Sequence, residues 1–137
     1  MQQTLTILKP DTVQSGHAGS VISMIEAAGF RIVAARMIHL SRKQAEGFYE
    51  VHRDRPFYGD LVSFMTEGPV IVMALEAEDA IMRLRDLMGA TDPAQAAPDT
   101  VRKRFGTNIE RNAIHGSDAP ETAAVEISYF FSQLDQA

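Results

Sequence analysis

Apolar and polar positions along the chain repeat with two different periods. Gln3 to Leu8 alternates, with Leu5 and Ile7 set against Thr4, Thr6 and Leu8, and predicts a strand. Lys9-Pro10-Asp11 ends it, because proline cannot donate to a ladder. Ala18, Val21, Ile22, Ile25 and Ala28 then recur at helical spacing, and Gly29 supplies the stop. Arg31 to Leu40 is rich in β-branched and aliphatic residues and predicts a second strand. Ser41-Arg42-Lys43-Gln44 has the form of a capping box, which places a helix from there to about His52. Arg55-Pro56-Phe57-Tyr58 breaks the pattern, and a short helix is predicted over Gly59 to Met65.

Val70 to Leu75 is apolar at every position, as suits a central strand covered on its face and paired on both edges. It is also the longest apolar run, far short of the roughly 20 residues of a membrane helix. A helix follows from about Glu78 to Met88, with Ile81, Leu84 and Met88 on one side. Gly89 to Asn112 carries no sustained period, only the turn signals Asp92-Pro93 and Ala97-Pro98-Asp99. A loop of that length inside a small domain is usually functional. Ala113 to Gly116 predicts a short strand. The last helix starts at Asp118-Ala119-Pro120-Glu121, with Asp118 as N-cap and Ala123, Ile127, Phe130, Phe131 and Leu134 as the buried stripe.

Without the inserted helices this order reduces to β-α-β-β-α-β. That is the ferredoxin-like α+β arrangement: a four-stranded antiparallel sheet covered by helices, here with an inserted helical hairpin and a long loop. The 137 residues are expected to form one domain, residues 1–137, long enough to bury a core without a metal or disulfide staple. Apolar residues at 45% and charged residues at 23% exclude a disordered or fibrous chain. The absence of cysteine excludes a disulfide framework, a thiolate nucleophile and a Cys-ligated zinc. It also suits the cytoplasm, and the N-terminus has neither the basic nor the apolar region of a signal peptide. The net charge of −5 argues against nucleic acid, so any phosphate binding must come from one locally basic site.

Histidine is the first side chain to weigh for chemistry at neutral pH. His17, His39 and His52 are read as surface or packing residues. His115 lies between an apolar strand and a tight turn in Asn112-Ala113-Ile114-His115-Gly116-Ser117-Asp118, where Gly116 allows a close approach of backbone to a ligand or another element. Basic residues gather around the irregular loop. Of these Arg83, Lys103 and Arg104 are read as a solvated face, while a loop arginine can grip two phosphate oxygens at once. No P-loop, dinucleotide fingerprint or zinc-protease motif is present. Glu126 falls roughly 40° from Phe130 on a helical wheel of about 100° per residue, at the margin of the buried stripe. A carboxylate there needs a partner, for which an imidazole would serve, or else snorkels outward.

Taken together, the segments resemble the nucleoside diphosphate kinase family from Thr4 to about Phe131. Asn112 to Asp118 resembles its N-x-x-H-G-S-D signature, and Thr4 to Asp11 its first strand and lysine. Phe48-Tyr49 and Arg55-Pro56-Phe57 resemble its helical hairpin, and Gly89 to Ala94 with Thr100-Val101-Arg102 its nucleotide loop. The resemblance implies transfer of the terminal phosphate of a nucleoside triphosphate, mainly ATP, to a nucleoside diphosphate by a ping-pong mechanism. His115 would be the nucleophile and become a pros-phosphohistidine. Lys9, Arg85, Thr91 and Arg102 would hold phosphates, Asn112 and Lys9 would reach the sugar, and Phe57 would stack on the base. Tyr49 would line the site, and Glu126 with Ser117 would orient the imidazole. Mg²⁺ would ride on the nucleotide phosphates, with no protein side chain assigned to it.

The resemblance further implies a homo-oligomer, a hexamer or tetramer of a common dimer, with Val125 and Tyr129 as contact candidates. Asp99 stands where the family often has Gly, and Lys103-Arg104 replaces a frequent Gly-Asp. Two other readings compete with the enzyme. A non-catalytic nucleotide-binding or interaction module on the same fold would bind nucleotide without becoming phosphorylated. A plain ferredoxin-like ligand or RNA domain runs against the acidic balance.

Overall fold

The computed structural model describes residues 1–137. Strand β1 (Gln2–Leu8) lies in the middle of a sheet with β2 (Arg31–Ile38), β3 (Val70–Ala77) and β4 (Ile114–Gly116), in the order β2-β3-β1-β4. Every neighbouring pair is antiparallel. This is the expected ferredoxin-like order, and it sets β4, the shortest strand, directly beside β1 through the pairs Thr6 with Gly116 and Ile7 with His115.

Strand alternation divides two cores. Leu5 and Ile7 of β1 with Val70, Val72 and Ala74 of β3 face one side. There they meet α3 (Arg42–Phe48), α4 (Tyr58–Met65) and α7 (Pro120–Phe130). Leu8, Met73 and Leu75 face the other side. That side is closed by α2 (Ala18–Ala27), α5 (Ala80–Met88) and α6 (Val101–Phe105). Thr4 and Thr6, the polar half of the alternation in β1, are therefore fully buried as well. Thr6 Oγ1 answers this by donating to the carbonyl of His115 at 2.8 Å, a bond across the sheet that fixes β4 against β1.

Several elements differ from the sequence reading. One is the single turn α1 (Pro10–Gln14), which starts on Pro10 at its first position and is too short to show a period. Helix α3 is capped as expected, Ser41 and Gln44 exchanging bonds of 2.9 and 3.1 Å, but it ends at Phe48 rather than His52. The Tyr49 ring is buried in the core, and the next residues tighten into a 3₁₀ turn over Glu50–His52. Within the loop read as irregular, Thr100 caps α6 by accepting from Lys103 N. Asp99 takes a left-handed φ of +68°, the conformation that a glycine would supply freely and that Asp tolerates better than most residues.

The start and end of α7 also need correction. The N-cap is Ala119, not Asp118: Pro120 holds the residue before it extended, so the helix begins at the proline. Thr122 Oγ1 closes the first turn, accepting from Ala119 N and donating to Asp118 at 2.7 Å. At the other end Phe131 leaves helical dihedrals to enter the core, and Leu134, placed in the stripe by its spacing, is 97% exposed. Arg83 is not on a solvated face: its guanidinium lies 5.1 Å from the centre of the Phe30 ring and donates to the carbonyls of Ala28 and Glu78.

Candidate active site

Strand β4 is only three residues long, and its alternation decides what each one meets. Ile114 is in the core beneath α5, while His115 points to the opposite face, toward α7. Gly116 turns back to α5. A Cβ there would stand 2.5 Å from Met88 Sδ and 3.1 Å from Leu84 Cδ2, so the helix packs against the bare backbone. The close approach expected at Gly116 is thus to another element of the fold.

His115 Nε2 lies 2.8 Å from Glu126 Oε1, and Ser117 Oγ donates to the same oxygen at 2.7 Å. Ser117 Oγ in turn accepts from Leu5 N at 3.2 Å, so the triplet is anchored to the central strand. An ionised carboxylate only accepts, so Nε2 carries the ring proton and the lone pair sits on Nδ1. Nδ1 has no protein partner. Phe48 meets the imidazole edge-on, ring centres 5.4 Å apart, and limits its rotation from the side of α3. The wheel position of Glu126 left two outcomes open, and the carboxylate takes the one with an imidazole partner.

His115 opens onto a cleft of about 500 Å³. Around it the structure gathers Lys9, Tyr49, Phe57, Arg85, Thr91, Arg102, Asn112 and Glu126, from the end of β1, the segment between α3 and α4, α5, the long loop with its helix α6, and α7. Of the site residues that the resemblance implies, only Ser117 does not line the cleft, and it reaches the site through Glu126. One end of the cleft is basic. Arg102 is buried yet bonded by Nε to the carbonyl of Asn112, by Nη1 to Gly89 and by Nη2 to Ile114, which fixes the guanidinium plane. Burial and the nearby Arg85 lower its pKa to about 10. Lys9 Nζ donates to Asn112 Oδ1 at 2.7 Å. Burial, reinforced by Arg102 and opposed by Asp11, lowers the Lys9 pKa from 10.5 to about 8. Lys9 and Arg102 are cations held largely out of water, joined by the exposed Arg85, with Asp11 as the opposing charge felt by Lys9, and such a cluster is a favourable place for phosphate.

The other end is apolar. A slot of about 390 Å³ continues from the cleft past Phe57, Leu61 and Phe64 to Ile109, sharing Lys9, Phe57, Leu61 and Thr91 with it. Tyr49 contributes a hydroxyl that is buried with no partner, and burial together with Glu126 raises its pKa. Arg111 does not join the cleft. It pairs with Glu67 at 2.7 Å and lies over the Phe64 ring, tying the loop to α4.

Several residues of the slot and the cleft went unassigned in the sequence. His52, read as a surface residue, lines the cleft between Tyr49 and Phe57, with ring centres at 6.4 and 5.5 Å. Only the 3₁₀ turn after Tyr49 brings it there, and no helical wheel predicts that. Ile109 and Leu61 build the slot, and their signal was an apolar residue in a polar loop and one on a short helix. His17 and His39 do pack as expected, His17 against the Phe105 ring and His39 on the carbonyl of Thr66. Lys103 and Arg104 are exposed, as read.

Residues 2–135 match the family model described as nucleoside diphosphate kinase. Among curated relatives, the nucleoside diphosphate kinase of Trichlorobacter lovleyi is 59% identical over 135 residues, covering 98% of each chain. That of Chlamydia felis is 56% identical, covering 98% of this chain and 96% of the relative. Among solved structures, the Aquifex aeolicus nucleoside diphosphate kinase superposes with a TM-score of 0.98 at 44% identity, covering 99% of both chains. A Halobacterium salinarum nucleoside diphosphate kinase in complex with CDP gives 0.95 at 38% identity, covering 99% of this chain and 91% of that one.

Proposed function

The chain belongs to the nucleoside diphosphate kinase family and transfers phosphate between nucleotides, and we propose that it does so in two half-reactions through His115. In the first, His115 Nδ1 attacks the terminal phosphorus of a nucleoside triphosphate, mainly ATP. The Nδ1–P bond forms as the bond from phosphorus to the bridging oxygen breaks, and the diphosphate leaves with that oxygen. In the second, a terminal oxygen of a different nucleoside diphosphate attacks the phosphohistidine and restores the imidazole. One difficult transfer becomes two nearly balanced ones. The observation that carries the reading is the imidazole pinned at Nε2 by Glu126, with Nδ1 free of protein partners beside a cationic cluster.

The other residues orient and neutralise, which is most of the work in phosphoryl transfer. Lys9, Arg85, Thr91 and Arg102 hold phosphate oxygens, and the Tyr49 hydroxyl gains the acceptor it lacks within the chain. Lys9 and Asn112 reach the sugar. The base stacks on Phe57 in the apolar slot opposite Ile109, and stacking accepts any base. Glu126 and Ser117 hold the ring and its proton.

Kinases of this family use a divalent metal, and we take it to be Mg²⁺. No group of three acidic or histidine side chains could hold an ion, and the carboxylates lining the cleft are only Glu126, engaged with His115, and the exposed Asp118, beside Lys9, Arg85 and Arg102. This donor set suits an ion carried by the nucleotide phosphates, whose charge it would neutralise. No helix is long and apolar enough to cross a membrane. We place the protein in the cytoplasm on its cysteine-free composition. We also take it to form a homo-oligomer, hexamer or tetramer, with the exposed Val125 and Tyr129 at a subunit contact. The binding-only alternative is not favoured, since the relatives are named as kinases over nearly the whole chain.

The test is the intact mass of the chain after brief incubation with ATP and Mg²⁺, and again after GDP. One phosphate per chain, acid-labile and removed by GDP, is expected, and His115→Ala should abolish it. Nucleotide binding with no gain in mass would refute the phosphohistidine mechanism.

A further inference from the structure

The junction between the end of β1 and the start of β4 holds a strained residue. Ala113 is fully buried and takes a φ of +75°, in the left-handed region that L residues other than Asn and Asp seldom enter. Three hydrogen bonds impose it. Asp11 Oδ2 accepts from Ala113 N at 3.0 Å, and the Ala113 carbonyl accepts from Lys9 N at 2.9 Å and Thr12 Oγ1 at 2.8 Å. The residue before it, Asn112, is the point where the cationic end of the cleft is assembled. Its Oδ1 accepts from Lys9, its Nδ2 donates to the Thr91 carbonyl, and its own carbonyl accepts from Arg102 Nε. Strain of this kind persists only where the surroundings over-determine it, and it tends to mark functional sites.

We propose that Asp11 is a positioning residue for phosphate transfer: its carboxylate pins Ala113 in the left-handed conformation and so aims Asn112, and with it Lys9, Thr91 and Arg102, at the nucleotide. The inference rests on the reading of the cleft as the nucleotide site. Asp11 itself does not line that cleft, so its action passes through the backbone. Its charge also opposes the fall in the Lys9 pKa, and a role as counter-charge for Lys9 predicts different mutant behaviour.

Four variants separate the two: D11N, D11A, A113G and D11A/A113G. Asparagine keeps an oxygen for the Ala113 N–H but not the charge, and glycine takes the positive φ without help. The readout is the rate of phosphate uptake from ATP and its dependence on ATP concentration. D11A is expected to slow uptake about 10- to 100-fold, the size of effect that follows a misplacement of about 1 Å. D11N should stay close to the unaltered chain, and A113G should restore most of the rate to D11A. The proposal is overturned if D11N is as slow as D11A, which would assign Asp11 to Lys9, if D11A/A113G is no faster than D11A, or if D11A is as fast as the unaltered chain. Should D11A fail to fold, A113G and D11A/A113G are compared directly. Equal rates support the proposal and a large gap refutes it. An unaltered chain that takes up no phosphate marks failure of the mechanism itself, not of the positioning role.

Discussion

Replacing Glu126 by glutamine tests the core of the mechanism with almost no change of shape. Oε1 receives two hydrogen bonds, from His115 at 2.8 Å and Ser117 at 2.7 Å. Both bonds can persist to an amide oxygen, so folding should survive. The carboxylate charge is what disappears. Attack by Nδ1 makes the ring cationic, and a full charge about 4 Å from the carboxylate is worth about 4 kcal/mol at an effective dielectric constant of about 20. With the charge half-developed in the transition state the loss is about 2 kcal/mol, or about 30-fold in rate. If instead the amide turns its NH₂ toward Nε2, the ring proton moves to Nδ1 and attack is blocked.

Rapid-quench measurement of phosphate uptake from ATP reads the rate, and ¹⁵N shifts of the His115 ring read the tautomer. The slower uptake should come with a nucleotide affinity that changes far less, because Glu126 bonds to none of the side chains proposed to hold phosphate. Uptake by E126Q as fast as by the unaltered chain, or a wild-type ring protonated at Nδ1, would refute the reasoning.

Two other perturbations read the cost of the site. Lys9 releases its proton near pH 8 in the folded chain but near 10.5 when unfolded, so between those values the unfolded state binds more protons and stability climbs with pH. Phosphates favour the charged form, so nucleotide affinity should fall over the same window. Titration of ADP affinity and of thermal stability from pH 7 to 10 checks both signs, and affinity that rises with pH would refute the assignment. A Lys9→Met chain should be more stable without nucleotide, by up to roughly 3 kcal/mol on the size of the shift, and should bind nucleotide poorly. Gly116→Ala forces a methyl against Met88 and Leu84 and should cost about 1–3 kcal/mol in denaturant unfolding. It should slow phosphate uptake as well, because His115 is the next residue, and a neutral result would mean α5 yields freely.

How far the sequence can be read depends on the range over which each feature is encoded. The order of strands follows from local periods, and the sheet order agrees with it. Glu126 is visible too, because a polar residue at the edge of an apolar stripe poses a question that only a partner can answer. What escapes is set by residues distant in the chain. Thr4 and Thr6 alternate as a solvated face would, yet they are buried because β1 pairs on both edges and is covered on both faces. His52 gives no signal because its place depends on where α3 stops, which the burial of Tyr49 decides. Asp11 shows the limit most clearly. Next to a proline it reads as a strand stop, and its bond to Ala113, 102 residues away, exists only once β1 and β4 are side by side. The signature around His115 points to the proposed nucleophile, but on the positioning proposal the conformation that aims its neighbours is held from the opposite end of the chain. Substitutions at residues 9–12 should therefore disturb phosphate transfer more than their distance in sequence from His115 suggests.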